Sequence, residues 1–225
     1  MNIDIQHRPG AAVAVCAMGP GDAIRAEADA MISMAGPISV KTQARKAGGL
    51  LKSLKRSMLG GESFFTNEFT AQGPSELCLA PRLPGDMIVH PLAPDHQLFI
   101  QGGSYVAAPD SVHLDTKWQG FTRGLFSGES FFFLHATGQG PVILNAFGAI
   151  SWADIDGELI VDTGHVVAFT NGLQYDITKA SSGWIASLLS GEGFVLRFRG
   201  RGRVYLQTRN PTVFGQTIGP KLPPR

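Results

Sequence analysis

The chain has 225 residues, 44% of them hydrophobic and 16% charged, with a formal net charge of +1. That is too apolar and too weakly charged for a disordered chain. The near-zero balance also excludes a global field drawing it to nucleic acid or acidic lipid. No apolar run approaches the roughly 20 residues of a membrane-spanning helix.

In chain order, residues 11–18 are apolar and follow Arg8. Lacking a strongly basic start and a long apolar stretch, they read as a first strand, not a secretory leader. Gly19-Pro20-Gly21-Asp22 comes next. Pro fixes φ and Gly accepts a positive φ, as a type II turn requires. Residues 23–34 then read as strand. From Lys41 to Gly61 the charges are all basic: Lys41, Arg45, Lys46, Lys52, Lys55 and Arg56. Leu50, Leu51, Leu54 and Met58 share one helical face, with Lys52, Lys55 and Arg56 opposite. A short basic amphipathic helix of this kind docks on a sheet or lies on an anionic membrane. Gly61-Glu62-Ser63-Phe64-Phe65 follows, then an apolar run, Gln72-Gly73-Pro74 and a second apolar run over 77–79. Two such runs joined by a glycine turn predict a β-hairpin.

The same order then recurs twice. Leu83-Pro84-Gly85-Asp86 precedes a strand-like stretch over 87–100, a linking segment over 118–126, the phrase Gly128-Glu129-Ser130-Phe131-Phe132, and Gln139-Gly140-Pro141. Ile155-Asp156-Gly157-Glu158 precedes 159–170, a linker over 184–189, the worn phrase Gly191-Glu192-Gly193-Phe194-Val195, and Arg201-Gly202-Arg203. Repetition at this period reports architecture, because each copy must bury its apolar face against its siblings. Units of about 65 residues are marginal alone, and no Ser/Gly-rich or charged linker separates them. The expectation is a single all-β domain, a pseudo-threefold repeat of β-hairpin units with short linking helices. The repeats span 5–82, 83–147 and 148–211, and a Pro-rich tail covers 212–225.

Chemistry is harder to find. Glu62, Glu129 and Glu192 would be equivalent about a threefold axis and could converge on a cation. A carboxylate after Gly more simply accepts backbone N–H bonds at a bend. The six histidines show no His-x-His or His-x-x-x-His pair, so the local ligand pairs of zinc and iron sites are missing. There is no Gly-x-Ser-x-Gly elbow, no phosphate loop and no Cys-x-x-Cys. Cys16 and Cys78 read as buried reduced thiols. These features lead to a non-enzyme with no cofactor or metal. Arg197, Arg199, Arg201 and Arg203 alternate along one strand and would project together near a hairpin tip, into solvent, toward a neighbouring subunit or toward RNA phosphate.

The Gly-Glu-Ser-Phe-Phe phrases, Val161-Asp162-Thr163-Gly164-His165-Val166-Val167-Ala168-Phe169 and Val204-Tyr205-Leu206-Gln207-Thr208 resemble the altered-inheritance-of-mitochondria (mitochondrial biogenesis) family. This family has bacterial, archaeal and mitochondrial members, and the likeness runs from about Ile5 to Pro211. It implies a β-rich barrel or sandwich like the tryptophan RNA-binding attenuation protein, related to the double-stranded β-helix. It brings no catalytic residues. Its mitochondrial members are associated with inner-membrane organisation, whereas this chain fits a cytoplasmic prokaryotic member. The expected role is a non-enzymatic scaffold or interaction protein, a homo-oligomer joined through open strand edges and apolar linkers such as Phe121, Leu125, Phe126, Trp184, Ile185, Leu188 and Leu189, which could equally cap the barrel ends. The alternatives are ligand or RNA binding through the 197–203 arginines, and peripheral membrane contact through Lys52, Leu54, Lys55 and Arg56.

Overall fold

The computed structural model describes residues 1–44, 65–117, 133–179 and 194–223. The linking segments and the Gly-Glu phrases up to Phe65 and Phe194, including Lys52, Leu54, Lys55, Arg56, Glu62, Glu129 and Glu192, lie outside the described residues. What is described is mostly antiparallel strand. The first repeat holds β1 (Asn2–Gln6), β2 (Val13–Met18), β3 (Ala23–Glu27), β4 (Met31–Ala35), β5 (Ile38–Ala44), β6 (Phe65–Ala71) and β7 (Ser75–Leu79). The second holds β8 (Gly85–Leu92), β9 (Leu98–Gln101), β10 (Tyr105–Pro109), β11 (Val112–Lys117), β12 (Phe133–Gly138) and β13 (Gly140–Phe147). The third holds β14 (Ile150–Asp162), β15 (Val166–Thr170), β16 (Leu173–Lys179) and β17 (Phe194–Gln207).

Three sheets result, ordered β1-β2-β7-β4, β5-β6-β3-β10-β13-β8, and β11-β12-β9-β15-β17-β14 with β16 also on β17. Equivalent strands pair alike in every repeat. Thus β4–β7, β10–β13 and β15–β17 each carry a register shift, at Met31/Ser33, Tyr105/Ala107 and Val166/Ala168. Neighbouring repeats are stitched by two seams. In one, Ala107 of β10 lies opposite Ala26 of β3; in the other, Ala168 of β15 lies opposite Ile100 of β9.

The hairpins sit at different joints from those the sequence predicts. The runs on either side of each glycine do not pair with each other: β6 and β7 lie in different sheets, as do β12 and β13, and β17 is one continuous strand. The hairpin partners are instead β5–β6, β11–β12 and β16–β17. Glycine serves a tight turn and a sheet corner equally well, because both need a φ that other residues resist. In the third repeat Gly157 and Gly200 face each other in register with φ of +134° and +116°, so β14 and β17 turn the corner together.

Two further expectations change. The strand-like stretches 23–34, 87–100 and 159–170 each break in two, the last at the 3-10 turn Thr163–His165, whose amide at Gly164 donates to the Asp162 side chain. Pro84-Gly85 marks the start of β8, not the equivalent of the β2–β3 turn at Gly19–Asp22. The C-terminal segment is also structured: α1 (Pro211–Ile218) starts from an Asn210 cap that accepts from the amides of Thr212 and Val213, with Pro at its first turn. Phe214 packs on Phe147, ring centroids 5.1 Å apart.

The core lies between the sheets. One cluster gathers Ala14, Cys16, Ile24, Phe69 and Leu77 of the first repeat with Met87, Val106 and Ile143 of the second. Another joins Leu98, Ile100, Leu134 and Leu144 to Val167 and Ala168 of the third. A third is aromatic, with Phe169 buried among Phe133, Tyr175, Phe198 and the stacked Phe99. Each fully buried side chain of this size contributes about 1.5–3 kcal/mol. Because each of the three clusters draws on two repeats, no repeat completes its core alone.

Candidate interaction surfaces

Two surfaces stand out, one charged and one apolar. The charged one follows from strand geometry. Side chains two apart on β17 share a face, and β14 and β16 flank that strand with carboxylates in register. Arg199 lies 2.9 Å from Glu158 and 3.4 Å from Asp176; Arg197 lies 3.8 Å from the same Glu158. Arg203 donates two bonds to Asp154, at 2.6 and 2.8 Å, and its guanidinium lies 5.4 Å from the centroid of the Trp152 ring. Arg201 stands opposite Asp156 in the ladder, exposed, with no ion pair among the described residues.

The four arginines therefore do share a stretch of strand, as the sequence predicts, but not at a hairpin tip. Three of them already hold a carboxylate. A phosphate would have to displace these partners, and exposed pairs of this kind contribute little to stability. The hydrogen bond from Arg203 holds the Asp154 carboxyl below its usual range, and the same bond, with a second to Tyr205, raises the guanidinium. Beside them the His90 Nδ1 and the Tyr205 hydroxyl share a 2.9 Å hydrogen bond. Burial holds His90 below its ordinary 6.5, helped by the positive charges of Arg203 and His96.

The other polar groups serve the fold. His135 bonds Gln97 at 2.8 Å and stacks on Phe99; His165 bonds the Gln207 carbonyl at 2.8 Å. Arg8 clasps the buried Asp86 through two bonds of 2.7 and 3.0 Å. Cys16 and Cys78 are free thiols, offset by one position on paired strands and so on opposite faces of the sheet. Burial pushes the Cys16 thiol up to about 12 and raises Cys78 as well. Among the described residues no three His, Cys, Asp or Glu side chains gather as a metal site. No helix among them is long and apolar enough to cross a membrane.

The apolar surface is β4, which the sequence reading did not single out. Among the described strands it pairs only with β7, and all five of its residues are exposed, with Met31 at 43%, Ile32 at 53% and Met34 at 47%. The run Met-Ile-Ser-Met-Ala looks like any half-buried strand. No described strand lies along its outer edge, and that is a property of topology.

A family model described as mitochondrial biogenesis AIM24 matches residues 3–209. The chain belongs to the AIM24 family. It is 34% identical over 178 residues to an uncharacterized protein of Streptococcus pyogenes serotype M6, covering 78% of this chain and 71% of that protein. It also matches the crystal structure of a protein from Streptococcus pyogenes with a TM-score of 0.80 and 27% identity, over 98% of this chain and 99% of that one. AIM24 membership thus carries an all-β fold shared with a solved bacterial structure. None of these descriptions names a reaction.

Proposed function

We propose that this AIM24 protein is a non-enzymatic scaffold that acts by self-association through an open sheet edge. The observation that carries the reading is β4, an apolar strand with both faces exposed and its outer backbone groups unpaired by any described strand. Soluble proteins ordinarily blunt such edges with charge, proline or a covering segment, and Met31-Ile32-Ser33-Met34-Ala35 carries neither charge nor proline. Supporting it, the polar clusters around His135, His165 and Asp86 are satisfied by structural hydrogen bonds, and the arginines of β17 are largely matched by carboxylates. Multi-angle light scattering across micromolar concentrations tests the reading. A mass above that of the 24.0 kDa chain that rises with concentration is expected. A strict monomer throughout would overturn it.

A further inference from the structure

Two seams join the repeats, and the scheme that makes them implies a third. In each existing seam, the strand carrying the register shift pairs on one side with its own repeat and on the other with the preceding repeat. Ala107 lies between Ile143 and Ala26, and Ala168 lies between Tyr205 and Ile100. Ser33 is the equivalent residue of β4. It faces Cys78 on one side and no described strand on the other. The step along the chain is the same in all three places: Ala26 to Ser33, Ile100 to Ala107, and Val161 to Ala168. Gln101 and Asp162 also match, each accepting from the amide two residues on, at 2.8 Å, where its 3-10 turn begins. The partner that Ser33 lacks is therefore of the kind found at Val161.

That position is open too. The second half of β14 pairs with β17 along one edge, and its other edge meets no described strand. Leu159, Ile160 and Val161 lie there, partly buried. Transferring the register of the two existing seams places Ser33 opposite Val161, Met34 opposite Ile160 and Ala35 opposite Leu159, antiparallel, with apolar or small residues along the whole contact. Within one chain these two edges are not paired.

We infer that β4 of one copy adds to the free edge of β14 in a second copy, so that the seam continuing the two internal interfaces is made between molecules. This rests on the self-association proposed above and names its surface and its occupant. Main-chain hydrogen bonds supply affinity in such strand addition, and the alternate side chains set the register. Each copy offers one edge of each kind, so the contact is heterologous. Two copies can clasp reciprocally, and more can close a ring.

The test uses two single variants, Met34→Cys and Ile160→Cys, both with Cys78→Ser to remove the thiol beside β4; Cys16 stays buried. Mixed under mild oxidation, they should give a disulfide-linked dimer containing one copy of each, mapped by mass spectrometry to positions 34 and 160. Each variant alone should give far less. Thermal melts close to that of the Cys78→Ser parent certify folding. A dimer of Met34→Cys with itself would mean that like edges pair, and would overturn the assignment. So would an intrachain 34–160 bond in the double variant without the mixed dimer, because the chain then closes on itself. If light scattering shows an oligomer but no 34–160 bond forms, this register fails while self-association stands. If the protein is monomeric, both fail.

Discussion

Strands β4 and β15 hold the same place in their repeats and share the same register shift, yet their surroundings are opposite. β15, Val166–Thr170, lies between β9 and β17, and its first four residues are buried. β4 has β7 on one side, and every residue is exposed. The difference comes from position in the array. β10 and β15 are each flanked by a strand of the repeat before them, whereas no described strand takes that place beside β4. Sequence has adapted to this only partly. Val166, Val167 and Phe169 fill a packed site, whereas β4 keeps Ile32 and two methionines, flexible side chains common at adaptable binding surfaces.

Substitutions can break or sharpen that contrast. The largest effect is expected from Phe169→Ala, which empties the centre of the aromatic cluster and should lower unfolding free energy by about 3–5 kcal/mol in chemical denaturation. A mild effect would show that β15 is not clamped as its neighbours imply. Next is Gly138→Ala at the corner where the chain leaves β12 for β13. Its φ of +99° resists a side chain, and the new methyl would point at the Ser111 carbonyl oxygen. A loss of about 1–3 kcal/mol is expected by the same measurement. A neutral result would mean that the corner does not fix the path between seams.

His90 should give a smaller, pH-dependent effect. Its folded pKa lies below 6.5, so the folded state binds the proton less readily than the unfolded chain. Its contribution is complete above the unfolded value near 6.5 and is lost as pH falls through the lower folded value. Denaturation of wild type and His90→Gln at pH 7.5, 6 and 5 should therefore show the wild type losing more stability toward pH 5. Parallel losses would remove His90 as the cause. The smallest effect belongs to Met34→Ala, which at dilutions favouring the monomer should move stability by no more than about 0.5 kcal/mol. A loss near that of Phe169→Ala would erase the contrast between β4 and β15.

Much of the architecture was legible because repetition is written in residues. The Gly-Glu phrases, the glycines and the apolar runs mark equivalent places, and from them the all-β class and the threefold likeness follow. The joints were misread for a physical reason. Gly73, Gly140 and Gly202 punctuate the chain as a hairpin turn would, but whether a strand folds back or crosses into the next sheet depends on partners distant in sequence. The arginines from Arg197 to Arg203 were legible as a cluster. Their neutralisation by Asp154, Glu158 and Asp176 was not, since the matching carboxylates sit on β14 and β16 and meet them only through register. The exposure of β4 was the least legible feature, because which strands flank it is set by topology and not by its own residues.

The uninterrupted course of β17 has a consequence for synthesis. This strand completes the ladders of β14, β15 and β16, and it is made after all of them. Until it emerges from the ribosome, the third repeat has no scaffold, and β9 waits for β15 with an unpaired edge of its own. Adjacent chains on one messenger would then offer each other the edges that the finished fold hides. A slow stretch of translation would be most hazardous between the codons of the second repeat and those of β17.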